Sequence, residues 1–533
     1  MNRTDVSPDS HGHELEGRFP DEDLPAGAVI DGASLDRDVN EEVDFVVVGS
    51  GAAGAVAAHT LAQAGWSVAI VEEGAWLKTR DFNDDVIGTF DRALRDAGTQ
   101  VLKGRAYMPM LQGRCVGGST LVNSAIAWRM PEDVVDEWRA DYGLGDAITM
   151  KGLEPHYDAL DRDLNVRPVA DDVLGENNRL FLEVAKGRGI HATRMRRYDR
   201  ACRGSGQCIT GCPSGAKQGM SVSYVPWALR TGRARIFCSC RVERVNVSGE
   251  RAVGVTARST GPSGRQVTLR ARRGVFVAAS TVQTPNLLRR SGLRARALGQ
   301  HFQAHPGIGA GGFFDHPIQM SIGATQGAES IDFRKSDRFK LETIGMPPEL
   351  AAARVPGIGA ELARRLASFA NVAVWVANIR MKAQGRVDTQ WDGRDRVTFT
   401  PNDDDMRSSK KALVTIGHLL VDAGALEVWP GVYGAPAVMT THDEVEKIAD
   451  ATNDPRAYHF IATHLFGAAR MGPDPRTSAV ALDFQTHEAR ALYVVDSSVF
   501  PTNLGVNPQH SIMALARMAA MQVAERATQG AAA

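Results

Sequence analysis

The stretch Asp44-Phe-Val-Val-Val48-Gly49-Ser50-Gly51-Ala52-Ala53-Gly54 decides the fold. Residues 44–48 read as a buried strand. Gly49, Gly51 and Gly54 then spell G-x-G-x-x-G, and Ala55, Ala57 and Ala58 open a helix of small side chains. Glycine at these places makes a tight turn, lets backbone approach a pyrophosphate and lets the helix pack on the sheet. The helix start, with Ala52 and Ala53, offers N–H groups and a partial positive charge to phosphates. Residues 67–71 supply the second strand and complete a β-α-β unit. Glu72 follows about 20 residues after the glycines, where an acid hydrogen-bonds an adenosine ribose; Glu73 stands one step off. The segment predicts an α/β, Rossmann-like dinucleotide site. The glycines alone do not choose between FAD and NAD.

The bulk numbers narrow the rest. The chain has 533 residues, 43% of them hydrophobic, enough for more than one domain. Lys+Arg number 61 and Asp+Glu 62, which gives no reason to expect nucleic acid or an anionic membrane as partner. Residues 1–44 hold 13 acids and 3 bases with no apolar core of a signal peptide. No apolar run is long enough for a membrane span, so the cytoplasm is the default location. Residues 1–42 read as an acidic arm, ordered only by docking on the body. Residues 132–190 look helical, 200–220 form a Cys/Gly-rich loop, and short strands run through 234–257 and 266–278. Glycine-rich loops lie around 306–326. Residues 372–381 are strand-like, 386–399 resemble a hairpin with Asp392-Gly393 at its turn, and 404–422 are helical. A strand at 492–495 and a helix over 511–526 end the chain.

Several separated segments resemble one family, the glucose–methanol–choline (GMC) flavin oxidoreductases. They include Leu111-Gln-Gly-Arg-Cys-Val-Gly-Gly-Ser-Thr-Leu-Val-Asn123 and Ser280-Thr-Val-Gln-Thr-Pro285-Asn-Leu-Leu-Arg-Arg-Ser-Gly292. His464-Leu-Phe-Gly467-Ala-Ala-Arg-Met-Gly472, Asp496 and Asn507-Pro508 extend the likeness toward the C-terminus. The resemblance covers about residues 43–526 and implies FAD. It implies a discontinuous FAD-binding domain, 43–305 with 456–533, and a substrate domain, 306–455, built on an antiparallel sheet with helices. It lays Gly117, Gly118, Ser119 and Asn123 along the flavin, Asp496 near the pyrophosphate and ribityl chain, and Val242 at the adenine end.

The activity so implied is oxidation of a CH–OH group by hydride transfer to flavin N5. That chemistry needs a base for the hydroxyl proton, and a histidine titrates in the right range. His464 sits in the family's base context, and Asn507 matches the partner position. Asparagine can hold the alcohol oxygen but cannot take its proton. His305, His459 and His510 are expected to be mostly structural. Lyase or isomerase chemistry, and a non-catalytic flavin-binding module, are the alternatives. The partners implied are a small-molecule alcohol and an electron acceptor: a quinone, a cytochrome or O2.

Six cysteines are too few for a disulfide framework. Cys202, Cys208 and Cys212-Pro213 keep three cysteines and the proline of a ferredoxin run, with Ser205 in the missing place. The loop also resembles one in the catalytic subunit of bacterial FAD-dependent glucose dehydrogenases, which implies a [3Fe–4S] cluster. A zinc site and a metal-free loop are the other readings. Cys238 and Cys240 are expected in the core, and Cys115 in the flavin loop.

Overall fold

A computed structural model describes residues 19–532. The strand Val39–Val48 begins with alternating exposure and ends with Phe45–Val48 almost wholly buried, because it runs into the middle of a sheet covered on both faces. That sheet has eight strands. In order across it stand Val29–Asp31, Ala234–Cys238, Val68–Val71, Val39–Val48, Gln266–Val277, Arg251–Ser259 and Cys240–Ser248. The strand Gln266–Val277 is shared. Its first half pairs antiparallel with Arg251–Ser259, and its second half pairs parallel with Leu492–Val494. The last strand of the chain thus returns to the first domain. Gly274, beside the register shift in that strand, leaves room for Ala491: a Cβ there would stand 2.9 Å from the Ala491 carbonyl oxygen.

Of the arm expected over 1–42, residues 1–18 lie outside the described residues. Val29–Asp31 pairs with Ala234–Cys238 at the sheet edge, and Val39 to Glu42 already pair with Val267 to Arg270. The helix Ala52–Gln63 is small-sided and almost entirely buried, packed against the sheet and the terminal helix Gln509–Ala532. That terminal helix starts two residues earlier and runs further than the sequence pattern indicates. Residues 132–190, expected to be helical, hold three helices, Glu132–Asp141, Met150–Asp163 and Glu176–Gly187.

A second sheet of six strands is antiparallel throughout. Its order is Glu427–Trp429, Gly307–Phe313, Val372–Ile379, Phe339–Thr343, Ala328–Ser330 and Thr193–Arg194. Gly307–Phe313 was expected as glycine-rich loop; it is a central strand. The glycines suit it because neighbours lean over them. A Cβ on Gly309 would meet Val376 Cγ1 at 2.7 Å, and one on Gly311 the Trp429 ring at 3.0 Å. The helix Asp403–Asp422 covers the other face, started by a capping box between Asn402 and Asp405. Among the described residues no helix is long and apolar enough to cross a membrane.

Candidate active site and cofactor cradle

One cavity, about 560 Å³ in volume, lies between the two sheets. The glycine turn and the 111–123 loop line one part of it, the inner face of the second sheet the other. Of the residues read from sequence, Gly49, Gly51, Ala52, Ala53, Glu72, Gly118, Ser119, Asn123, Val242, Asp496, His464 and Asn507 all line it. Gly54 and Gly117 stand behind. A Cβ on Gly54 would fall 2.0 Å from the Gly49 carbonyl oxygen, and one on Gly117, at φ +91°, 2.9 Å from the Ser221 nitrogen. These two glycines permit close packing of backbone; Gly51, with nothing within 4 Å of its Cβ position, leaves space for a ligand.

The cradle is braced from one residue. Glu72 Oε2 accepts from Ser50 N at 3.0 Å and Ser50 Oγ at 2.7 Å, and its Oε1 accepts from Gly74 N at 2.9 Å. Ser50 Oγ in turn accepts from Gly117 N at 3.0 Å. The acid, the phosphate turn and the 111–123 loop are therefore one hydrogen-bonded unit, and burial raises the Glu72 pKa. Oε1 keeps capacity for a further donor such as a ribose hydroxyl. Glu73, also on the cavity wall, is paired with Arg95 at 2.7 Å. Asp496 has its carboxylate taken by Ser280 N, Thr284 Oγ1 and Ser498 N. It holds the local backbone at the cavity edge. Gln112 Oε1, also on the cavity wall, is buried without a protein partner. A bare glycine face, an orphaned amide oxygen and a helix start fit a dinucleotide with a flavin.

His464 precedes the short strand Leu465–Phe466, which pairs with Gln303–Ala304. That pairing brings His305 N to His464 O at 3.0 Å and stacks the two imidazoles, centroids 5.3 Å apart. Their Nδ1 atoms lie 3.2 Å apart, so one carries the proton and the other accepts it. Nε2 of His464 is the ring nitrogen not committed to His305. The part of His464 left exposed belongs to the cavity wall. Burial lowers its pKa to about 4, with Glu342 opposing and Lys340 adding to the shift, so it is neutral at pH 7. His510 does not line the cavity. It is buried against Asp161 at 2.9 Å and stacked on Tyr157. His459 is on the cavity wall.

The sequence reading missed a charged group on the second sheet. Across adjacent strands Glu329 faces Glu342, which faces Val376, which faces Gly309. Two residues along, on the same face, Lys340 faces Asn378, which faces Gly307. Lys340, Glu329 and Glu342 are all buried. Lys340 Nζ lies 2.5 Å from Glu329 Oε2 and 2.6 Å from Glu342 Oε1, and it donates to Asn507 Oδ1 at 2.6 Å. Burial works against the ammonium, but the two carboxylates outweigh it and hold its pKa above the usual lysine value. Glu342 Oε2 accepts from Gln326 Nε2 at 2.7 Å, and Glu329 Oε2 from Trp128 Nε1 at 2.7 Å. The signal in the sequence was Lys340-Leu-Glu342, an alternation that reads as a solvated face.

The cysteine loop departs from expectation. Cys202, Cys208 and Cys212 are not on the cavity wall, although Ile209 is. Arg197, fully buried, sits 3.1 Å from Cys208 Sγ, while Cys212 Sγ accepts from Lys217 N at 3.3 Å. Among the described residues no three His, Cys, Asp or Glu side chains gather as a metal site needs. The iron–sulfur reading, with Cys202, Cys208 and Cys212 as ligands, is therefore not supported. Burial opposes ionising Cys208, but Arg197 and Lys217 outweigh it and pull its pKa below the ordinary thiol value. Lys217 donates to the carbonyls of Leu121, Asn123 and Cys208, tying the loop to the flavin segment. Cys115, Cys238 and Cys240 are buried, and Cys240 also lines the cavity.

Comparison with known proteins fits this arrangement. The GMC oxidoreductase family model matches residues 43–307 in its N-terminal part and 380–516 in its C-terminal part. A GMC-type oxidoreductase of Mycobacterium tuberculosis is 36% identical over 523 residues, 96% of this chain and 81% of the relative. The long-chain-alcohol oxidase FAO1 of Arabidopsis thaliana is 26% identical, over 91% of this chain and 67% of its own length. A formate oxidase structure superimposes with a TM-score of 0.72 at 16% identity, covering 92% of this chain and 99% of that one. The chain belongs to the GMC oxidoreductases, flavoproteins, and FAD is the cofactor its cradle suits.

Proposed function

We propose that the protein oxidises the CH–OH group of an alcohol with an elongated apolar body. The glycine turn, Glu72 and the 111–123 loop would hold FAD, which would supply the hydride acceptor at flavin N5. His464 Nε2 takes the hydroxyl proton; it is neutral at pH 7 and so ready to receive it. Asn507 holds the alcohol oxygen by hydrogen bonding. Gly51, Gly118, Ser119, Asn123, Val242 and Asp496 border the cofactor. Residues 43–305 with 456–533 form the FAD-binding unit and 306–455 the bulk of the substrate unit.

The observation that carries this reading is the shared cavity. His464 and Asn507 line the same space as the flavin cradle and as an apolar wall of Val372, Val374, Val376, Trp429, Met346 and Leu350. A neutral base, an amide and this apolar wall suit a lipophilic alcohol. The similarity to a long-chain-alcohol oxidase supports the same substrate class and favours O2 as electron acceptor. The test is a series of straight-chain primary alcohols in anaerobic stopped flow. Flavin reduction should tighten in apparent affinity as the chain lengthens and slow when the carbinol carbon is deuterated. Equal response to glucose and to octanol would refute the apolar reading, and no deuterium effect on a chemical step would refute C–H cleavage.

A further inference from the structure

Lys340 is fully buried and meets Glu329, Glu342 and Asn507 at 2.5 to 2.6 Å. An ammonium has three protons and no lone pair to accept with. These three contacts use all of its donors, so the Asn507 atom facing it has to be the carbonyl oxygen. Turned over, the amide would set its own N–H groups against the ammonium. We propose that Lys340 is a positioning residue that locks the Asn507 amide with its N–H donors turned away from the lysine, so that Asn507 donates to the substrate oxygen and does not accept from it.

One N–H of Asn507 is engaged by Glu342, itself held by Gln326. The second is available to a ligand in the cavity that Asn507 lines. A donor is what the reaction calls for at that place. As the hydroxyl proton passes to His464, the alcohol oxygen gains negative charge and ends as a carbonyl, which accepts hydrogen bonds and donates none. An asparagine free to flip would spend part of its time presenting its own oxygen to that charge. Glu329 and Glu342 then serve to keep the lysine charged, and therefore a donor, inside the protein. The division of labour is strict: His464 accepts and Asn507 donates.

This rests on the alcohol reading for the identity of the oxygen, and the experiment separates the two. Lys340→Met, Asn507→Ala and the double variant are prepared as flavin-loaded protein. The probe is 2-octanone, whose carbonyl accepts hydrogen bonds and donates none, with binding followed by the change in flavin absorbance. Losing one hydrogen bond weakens binding by about tenfold. We expect that loss in each single variant and no further loss in the double, because the lysine acts through the asparagine. Additive losses, wild-type binding by Lys340→Met, or no 2-octanone binding by the wild-type protein would each overturn the proposal. Should Lys340→Met not fold, Asn507→Asp carries the test. Its carboxylate keeps the partnership with Lys340 but has no N–H to give, so binding should weaken at least as much as in Asn507→Ala; wild-type affinity would overturn the proposal. Reduction of the wild-type flavin by octanol reports separately on the alcohol reading. Failure there, with 2-octanone binding still lost in Lys340→Met, would refute the reaction and leave the positioning role standing.

Discussion

Gly51 and Gly54 belong to one motif but do different work, and alanine at each should separate the two. At Gly54 the added methyl would fall 2.0 Å from the Gly49 carbonyl oxygen, 2.9 Å from its carbon and 3.3 Å from Ala278 Cβ. Ordinary contact begins near 3.4 Å, so helix and turn must part by more than about 1 Å. The turn cannot yield easily, because Gly49 N is bonded to Val71 O and Ala278 N to Val48 O, both at 2.8 Å. Overpacking of this kind costs about 1–3 kcal/mol. With urea slopes of about 1–3 kcal/mol per molar, the midpoint should drop by on the order of 1 M. At Gly51 nothing lies within 4 Å. Alanine there should cost at most about 1 kcal/mol, as a poorer helix N-cap, yet its methyl enters the space for the pyrophosphate. The assay is urea unfolding of both apoproteins, with FAD uptake by absorbance. Gly54→Ala should unfold early; Gly51→Ala should be nearly as stable as wild type and take up FAD poorly. Equal midpoints, or full FAD affinity in Gly51→Ala, would refute the assignment.

Three further outcomes are expected. His464→Ala should slow flavin reduction by on the order of 10² to 10⁴, as for loss of a general base, with FAD retained; His510→Ala, off the cavity, should leave the rate unchanged, and stopped-flow absorbance checks both. Because burial sets the His464 pKa to about 4, the limiting rate of reduction should stay level from about pH 8 to 5 and fall as pH drops through 4. A midpoint near the ordinary histidine value would contradict the buried placement, and Glu342→Gln should move the midpoint lower, since Glu342 raises it. Lys217→Met leaves the carbonyls of Leu121, Asn123 and Cys208 without their donor, at about 1–3 kcal/mol for each that stays buried and unpaired. It should loosen the 111–123 loop and shed FAD on gel filtration.

How much was legible from sequence follows from how local each signal was. The strand–turn–helix of 44–64 is a local pattern, and it stands where the glycines and the alanine-rich helix place it. The second sheet was only partly visible, since Gly307–Phe313 carries four glycines and no strand-forming periodicity survives them. Val376, Trp429 and Leu420 close over Gly309, Gly311 and Gly312, which no local pattern shows. Lys340 and Glu342 were invisible for a different reason. Their alternation is the ordinary mark of a solvated face, and only the fold buries that face, brings Glu342 to the cavity wall and sets Glu329 opposite it. His305 was set aside as structural, yet the Gln303–Ala304 pairing stacks it on His464. The cysteine spacing suggested a cluster. Spacing says nothing about where thiols point, and two buried cations, Arg197 and Lys217, stand beside Cys208.

The chain is expected to carry FAD and to reduce it with an alcohol. The most direct measurement is the absorbance spectrum of the purified protein before and after octanol is added without oxygen. A flavin spectrum with about one FAD per chain is expected, bleached by octanol in the wild-type protein and bleached far more slowly in His464→Ala. A protein that holds NAD and no flavin, or a flavin that no alcohol of any chain length bleaches, would contradict it.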